Sequence, residues 1–533
     1  MKEISTSTYS FSDLIENGYL YVDKTDYIYR LVKTPKGEYF YSRPRRFGKS
    51  LTVSTLEALF RGRRELFEGL KIAQTDYAFE EHPVIHIDFG RSDSSTVELL
   101  TSWLHRTLEG IAAEYGVSAE GESPAIAFGT LIQSLYAKYR KGVVILIDEY
   151  DRPVTNSLED GEKAEKVRKL LEAFFQIVKG YEGMCRFIFL TGITRLAQLS
   201  IFSKLNNLRD ISRSSDYACM MGYTQEELDR YFAGYIRTGA AQLAMTEQEL
   251  KEQLKYWYDG FCFSPDAERV YNPVSVGMFF SEGFRFENYW YETATPVMLV
   301  QQARKQQLTL QDMEHARYTD SDYRTFNIMA LTEYSMKSPL MIQLLFQTGY
   351  LTIGDRVQGP VRPTWKLVYP NHEVQSSFEV ELTSIYTDKI PQEISSCVSY
   401  IQEAAWNGNA DEMIRLMHSL LAGIPYSLQL KHEFYYQSLM LLLFRICGMD
   451  IQAESQTGKG RIDAVMQAGN YMYIIECKFN QQPQQAIDQI DDRKYADMYR
   501  IWKDKKIIGI GLSFCMDKSV RNLEEKYLVE ELS

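Results

Sequence analysis

The sequence predicts a multidomain α/β chain, and three observations carry that expectation. In the first third, short β-branched runs alternate with helical periodicity, the pattern of a parallel sheet covered by helices. The middle third turns helical, with Gly-, Pro- and Asn-containing loops. The last third returns to strands and helices in the order helix–β–β–helix–β. The length of 533 residues agrees, since roughly 150 residues per domain gives three or four domains.

Taken in order, Tyr39–Ser42 reads as a strand leading into a Gly-Lys-Ser turn and a helix from about Ser50 to Phe60. Val84–Asp88 is a short strand, and Val97–Tyr115 and Ala127–Tyr139 are helical. Val143–Ile147 is a continuous apolar run ending in acids, as a buried parallel strand should be. Ala164–Val178 follows as a helix and Arg186–Leu190 as another buried strand. Gln225–Thr238, Glu247–Tyr258 and Pro339–Phe346 are expected helices of the middle region. With Tyr350–Ile353 and Trp365–Tyr369, the last of them resembles a winged helix. A boundary is expected near Pro370–Ser377. Beyond it, Phe378–Asp388, Ile390–Trp406, Ala410–Leu421 and Phe434–Ile446 read as helices. Arg461–Gln467, Tyr471–Cys477 and Lys506–Leu512 read as strands, with a helix over Gln484–Arg500 between the last two.

Composition narrows the class. Hydrophobic residues make up 45% and aromatics 13%, which excludes disorder as the main state. The net charge of −12 argues against a basic surface wrapped in nucleic acid, although it leaves room for a local basic groove. Seven cysteines without a CxxC pair read as reduced thiols, and a zinc site has no support. Met1–Phe11 lacks an apolar core for a signal peptide, and the longest apolar runs, Leu439–Phe444 and Val143–Ile147, are too short for a membrane span. The expectation is a soluble, cytoplasmic protein with no membrane partner.

The strongest N-terminal motif is Arg43-Pro44-Arg45-Arg46-Phe47-Gly48-Lys49-Ser50. It keeps the GKS end of a P-loop, after a strand and before a helix, but has Arg43 at the first glycine position. A helix N-terminus with free N–H groups suits phosphate. Lys49 would reach the β and γ phosphates of ATP, Ser50 would ligate Mg²⁺, and Arg45 and Arg46 would add positive charge. Val143–Glu149 has the form of a Walker B strand, which places Asp148 near that Mg²⁺ and Glu149 beside an attacking water. Thr191, at the end of Phe187–Gly192, is a candidate γ-phosphate sensor, with Arg195 nearby in sequence. A strand cap is the plainer alternative for Thr191.

These strings, together with Tyr21–Thr25, Leu66–Leu70, Ile147–Asp151, Phe202–Leu208, Trp257–Gly260 and Tyr271–Pro273, resemble the bacterial AAA-ATPase-like family. The resemblance spans nearly the whole chain. Members of that family carry arginine where the first P-loop glycine would stand, and they commonly end in a nuclease-like domain. The resemblance implies ATP binding through Lys49, Ser50, Asp148 and Glu149, and Gly48 is a further candidate for nucleotide contact. It leaves open whether Asp23 and Lys24 act on the adenine side or structurally.

Near the C-terminus, Asp463 precedes Ile474-Ile475-Glu476-Cys477-Lys478. Glu476 and Lys478 are two apart and so share one face of a strand. Two carboxylates and a lysine suit metal-assisted phosphodiester hydrolysis, with Asp463 and Glu476 on Mg²⁺, or Mn²⁺ in its place, and Lys478 orienting water. This spacing resembles the PD-(D/E)xK superfamily, and Glu433 matches the acid on that fold's first helix as a third metal contact. Gln489 and Tyr495 match further positions of that domain. Lys459, Arg461 and Lys494 supply local basic charge for nucleic-acid phosphates.

The expected architecture is thus an ATPase-like P-loop domain over 1–216, a helical lid or winged-helix-like domain over 217–375 and a restriction-endonuclease-like α/β domain over 376–533. The favoured function is an ATPase coupled to metal-dependent hydrolysis of DNA or RNA. The alternative is a nucleotide-switched nucleic-acid or protein binding module with an inactive nuclease-like domain. Oligomerisation is compatible with the sequence, which offers no arginine finger.

Overall fold

The computed structural model describes residues 1–195, 208–294, 315–325, 339–359, 362–387, 389–421, 450–457, 460–479, 481–499, 505–514 and 527–532, with isolated positions between them. The chain forms two compact units, one of residues 1–302 with 315–374, the other of residues 303–314 with 375–533. The architecture is multidomain α/β, with an N-terminal parallel sheet, a helical middle region and a C-terminal mixed sheet.

The first unit is built on a sheet of β1 (Gly37–Ser42), β2 (Val84–Asp88), β3 (Val143–Asp148), β4 (Cys185–Gly192) and β5 (Arg209–Asp210), in the order β2-β3-β4-β1-β5. All four ladders are parallel. Parallel strands need crossovers, and right-handed crossovers determine which face each helix covers. The chain runs from β1 outward to β2, then steps back through β3 to β4. Helix Lys49–Phe60 therefore lies on one face. Helices Val97–Tyr115, Pro124–Tyr139 and Gly161–Gly180 lie on the other, where Phe128 stacks on Phe174 at 4.7 Å. Both faces of β3 are covered, so each of its residues is buried and the run is apolar without alternation.

The first unit also holds an aromatic helical cluster around Tyr258, Tyr271, Phe279 and Phe232. The expected helix Gln225–Thr238 is two helices, Gln225–Tyr231 and Ala233–Gln242, which meet at Phe232. The 3.6-residue periodicity runs on through the junction, so the break is invisible to it. Helix Pro339–Thr348 is followed by the antiparallel hairpin β7 (Thr352–Arg356) and β8 (Trp365–Val368), as expected, and the earlier strand β6 (Arg317–Tyr318) joins it in the order β6-β8-β7. Asn272 caps helix Pro273–Ser281 by accepting from Val274 N at 2.9 Å.

Gly260 has φ +103, and a Cβ there would lie 1.8 Å from the Pro370 carbonyl oxygen. Gly260→Ala is expected to destabilise the first unit by about 3 kcal/mol or more, through overpacking and forbidden backbone geometry. A urea titration of this variant against the parent checks it, and an unchanged midpoint would refute the close approach.

The second unit carries β9 (Asp450–Thr457), β10 (Gly460–Ala468), β11 (Tyr471–Phe479), β12 (Lys506–Phe514) and β13 (Tyr527–Glu531), ordered β13-β12-β11-β10-β9. β11 and β12 are parallel, joined through helix Pro483–Asp492, and the other pairs are antiparallel. The expected helix Gln484–Arg500 stops at Asp492 and resumes as a 3₁₀ turn, Tyr495–Met498, because Lys494 takes a left-handed conformation (φ 52). The expected helix Phe434–Ile446 falls largely outside the described residues.

Candidate functional site

In a wholly parallel sheet every strand presents its carboxyl end at the same edge. β1, β2, β3 and β4 therefore bring Ser42, Asp88, Asp148 and Gly192 to one rim, with Ser42 paired to Gly192 and Asp88 to Asp148. The loop Arg43–Gly48 leaves β1 there and enters helix Lys49–Phe60. Arg46 (φ 62) and Gly48 (φ 93) take left-handed geometry. Gly48 is the helix N-cap and offers no side chain to the first N–H groups, which stay available to an anion.

Lys49 is buried, and its ammonium donates to the carbonyls of Arg43 (3.0 Å) and Pro44 (2.7 Å). Burial pushes its pKa below the usual lysine range, while the charges of Glu149, Asp148 and Asp151 pull it back up. Ser50 follows, half-buried, on the first helical turn. Arg43 does not face this cradle. It is buried, stacked on Tyr41 (4.1 Å) and Phe263 (4.0 Å), and donates to the carbonyls of Ser42 (2.8 Å), Ser212 (2.8 Å) and Ala218 (3.1 Å). Burial lowers its guanidinium to about 10. The missing first glycine is thus a structural brace between the loop and residues 212–218.

The opposite wall is acidic. Asp148 is buried and accepts from the Thr191 hydroxyl and from Glu149 N (3.0 Å). Glu149 has a left-handed backbone (φ 51), and its carboxylate accepts from Arg152 at 2.6 Å. Asp151 accepts from Thr194 N (2.6 Å) and Ile193 N (3.0 Å), tying this loop to the end of β4. Burial first, then Asp148 and Glu149, raise the Asp88 carboxyl above its usual range. Asp88, Asp151 and Arg152 were not among the sequence candidates. Asp151 is signalled by its place three residues after Asp148, whereas Asp88 needs the strand order.

The loop also touches the middle region of the same unit. Trp290 Nε1 donates to the Arg45 carbonyl at 2.9 Å, and Gly349 (φ +92) lets Pro44 approach. Phe47 packs on Phe261 and Phe263. Arg195 pairs with Asp210 (3.1 Å), and its N–H donates to Gln347 Oε1 at 2.7 Å. Arg46 lies over the Tyr9 ring at 5.4 Å, at the wall of a cavity of about 140 Å³ shared with Tyr21, Val22, Gly48, Leu51, Thr52 and Met221.

Asp23 and Lys24 make structural contacts. Asp23 accepts from Thr25 N (2.9 Å) and Lys71 N (2.8 Å). Lys24, also at the cavity wall, donates to the Cys219 carbonyl (2.7 Å) and Glu227 (2.5 Å). Of the Phe202–Leu208 string, only Leu208 is among the described residues.

In the second unit, Glu476 is buried on β11, with Lys478 Nζ 3.3 Å from its carboxylate. Gln489, on helix Pro483–Asp492, donates its amide N–H to Glu476 and accepts from Lys478 through its amide oxygen. Tyr495 is buried in the apolar cluster beneath, with Ile474, Ile487 and Ile490. Asp463 lies on β10 just before Ala464, which pairs with Ile475, the residue before Glu476. The backbone thus brings both acids to neighbouring strands. The Asp463 side chain, Lys459 and Glu433 lie outside what is described. Among the described residues no group of three or more His, Cys, Asp or Glu side chains is arranged to hold a metal ion. No described helix is long and apolar enough to cross a membrane.

Comparison with known proteins agrees with this division. Residues 5–202 match the family model described as "Predicted AAA-ATPase", and residues 431–524 match that of the PD-(D/E)XK nuclease superfamily. The chain is similar to an uncharacterized protein in the vnfD 5′ region of Azotobacter chroococcum mcd 1, at 30% identity over 524 residues, 97% of each chain.

Proposed function

Because the chain belongs to the AAA-ATPase-like family, with a C-terminal domain of the PD-(D/E)xK nuclease superfamily, we propose that it is a nucleotide switch acting on nucleic acid. ATP binds and is turned over at the N-terminal rim, and the nucleotide state sets how the second unit holds a DNA or RNA strand. The proposal keeps the division into an ATPase domain (1–216), a helical middle domain (217–375) and a nuclease-like domain (376–533).

The observation that supports it most is the buried ammonium of Lys49, set at a helix N-terminus and faced by Asp148 and Glu149. A lysine drawn into that position has little to bind there except its own loop carbonyls, and phosphate oxygens are the better partners. In this reading Lys49 and the first N–H groups of its helix bind the β and γ phosphates, and Arg45 and Arg46 add charge at the rim. The base enters the cavity beside Gly48 and Thr52, whose aromatic and aliphatic walls suit a flat heterocycle. The hydroxyl of Ser50 and the carboxylate of Asp148 are hard oxygen donors of the kind Mg²⁺ takes. Bound there, Mg²⁺ would neutralise charge on the β and γ phosphates. Thr191 holds Asp148 in place, and Glu149 polarises the water and accepts its proton.

A second reading is supported by the Glu476–Lys478–Gln489 cluster and the register of Asp463. Asp463 and Glu476, with Glu433, would hold Mg²⁺ or Mn²⁺, and Lys478 would orient water for phosphodiester cleavage.

Anisotropy of labelled single- and double-stranded DNA and RNA, measured with a slowly hydrolysed ATP analogue, with ADP and without nucleotide, tests the switch. Affinities are expected to differ at least about fivefold between the two nucleotide states. Equal affinities would overturn the reading. In the same reactions, Mg²⁺-dependent cleavage that Asp463→Ala and Glu476→Ala both abolish would replace the binding module with an active nuclease.

A further inference from the structure

Glu149 sits in an unusual local setting. Its backbone is left-handed (φ 51), a conformation that L-residues with a Cβ adopt at a cost of about 1–2 kcal/mol. Such strain persists where surrounding contacts over-determine it. Two contacts do so here. Arg152, three residues on, donates from Nη1 to Glu149 Oε2 at 2.6 Å, a short charge-assisted bond. Gly90, after β2, leaves the space that the carboxylate occupies. A Cβ on Gly90 would lie 2.7 Å from Asp88 Oδ1, 3.0 Å from Glu149 Oε2 and 3.2 Å from Arg152 Nη1. The carboxylate oxygen and the guanidinium nitrogen therefore lie side by side over the Gly90 backbone, and the short bond between them fixes the carboxylate there. It still acts on the cradle, since Glu149 is the foremost of the charges felt by the Lys49 ammonium.

We infer that Arg152 is the positioning residue of this site, holding the Glu149 carboxylate against Gly90 in the orientation from which it meets the attacking water. The inference rests on the proposed turnover of ATP at the N-terminal rim and names a residue for which neither the motif nor the family match supplies a role. Arg152 acts through Glu149 and does not touch nucleotide. Its side chain is 41% exposed, so its guanidinium is accessible at the edge of the site.

The test is a kinetic cycle on the full-length chain with Arg152→Gln, Arg152→Lys, Glu149→Gln and the Arg152→Gln/Glu149→Gln double variant. Arg152→Gln is expected to lower kcat roughly 10- to 100-fold, the scale on which misplacement of a reacting group acts, with ATP affinity within about twofold of the parent. Arg152→Lys is expected to recover part of the loss, because one donor remains. The double variant should be no slower than Glu149→Gln alone, since a residue that works through another has nothing left to position. If Arg152→Gln keeps full kcat while Glu149→Gln is inactive, or if the two losses multiply in the double variant, the inference is wrong and the ATPase reading survives. If Glu149→Gln turns over ATP at the parent rate, or the parent does not turn it over at all, the underlying reading falls and takes the inference with it.

Discussion

Lys49→Ala is expected to lower ATP turnover at least about 100-fold and to raise the nucleotide dissociation constant beyond an easily measured range. The magnitude follows from removing a preorganised cation aimed at developing phosphate charge, a class of contact worth about 10²–10³ in rate when a single donor is lost. Here the loss is compounded. The ammonium is buried, and its removal takes away a cation that offsets the charges of Glu149, Asp148 and Asp151, leaving Arg152 paired with Glu149. It also frees the Arg43 and Pro44 carbonyls it now holds at 3.0 and 2.7 Å, so the loop loses its own tether. Binding of a fluorescent ATP analogue, with thermal melting of the same preparation as the folding control, checks this. A variant that binds ATP as tightly as the parent would remove Lys49 from the proposed site.

Arg43→Ala should be the largest single loss of stability outside the glycines, about 3–5 kcal/mol, the scale of breaking a buried charged network by removing one partner. The guanidinium satisfies carbonyls of Ser42, Ser212 and Ala218, each buried and each left without that donor by alanine. It also fills the slot between Tyr41 and Phe263. Arg43→Lys should rescue little, because an ammonium cannot reproduce the planar fork that reaches carbonyls in two directions. Urea unfolding reports the difference, and a shift corresponding to less than about 1 kcal/mol would show that the brace is dispensable. Since Arg43 opens the loop proposed to hold phosphate, lost stability and weakened nucleotide binding should appear together.

The residues legible in the sequence were those whose meaning is local. Lys49 and Ser50 are read from a turn between a strand and a helix, and Asp148 and Glu149 from the end of an apolar run. Glu476 and Lys478 share a strand face whatever lies beside it. Asp88 could not be read in this way, because its neighbour Asp148 is decided by the order β2-β3. Arg43 looked like a broken motif until its carbonyl partners, which come from residues 212–218, were placed. Gln489 could be matched to a resembled position, but its bridging of Glu476 and Lys478 depends on how helix Pro483–Asp492 returns to β11. The helix break at Phe232 and the 3₁₀ turn after Lys494 were missed because periodicity continues across both.

The order of the first sheet also governs how the chain reaches it. β1 (Gly37–Ser42) lies between β4 and β5, which come later in the sequence, after β2, β3 and the helices that connect them. During synthesis the segment Tyr39-Phe40-Tyr41 leaves the ribosome long before either of its hydrogen-bonding neighbours exists. Its apolar side chains and open edges must wait until Phe187–Leu190 emerges, the kind of interval in which non-local strand pairing is slow and nascent chains aggregate. The loop Arg43–Gly48 cannot be ordered before then, because Arg43 N–H bonds to the Gly192 carbonyl at 3.1 Å and its guanidinium bonds to residues further on still. A nascent chain stalled before β4 would lack the ordered Arg43–Gly48 loop and would offer a ready target for chaperones.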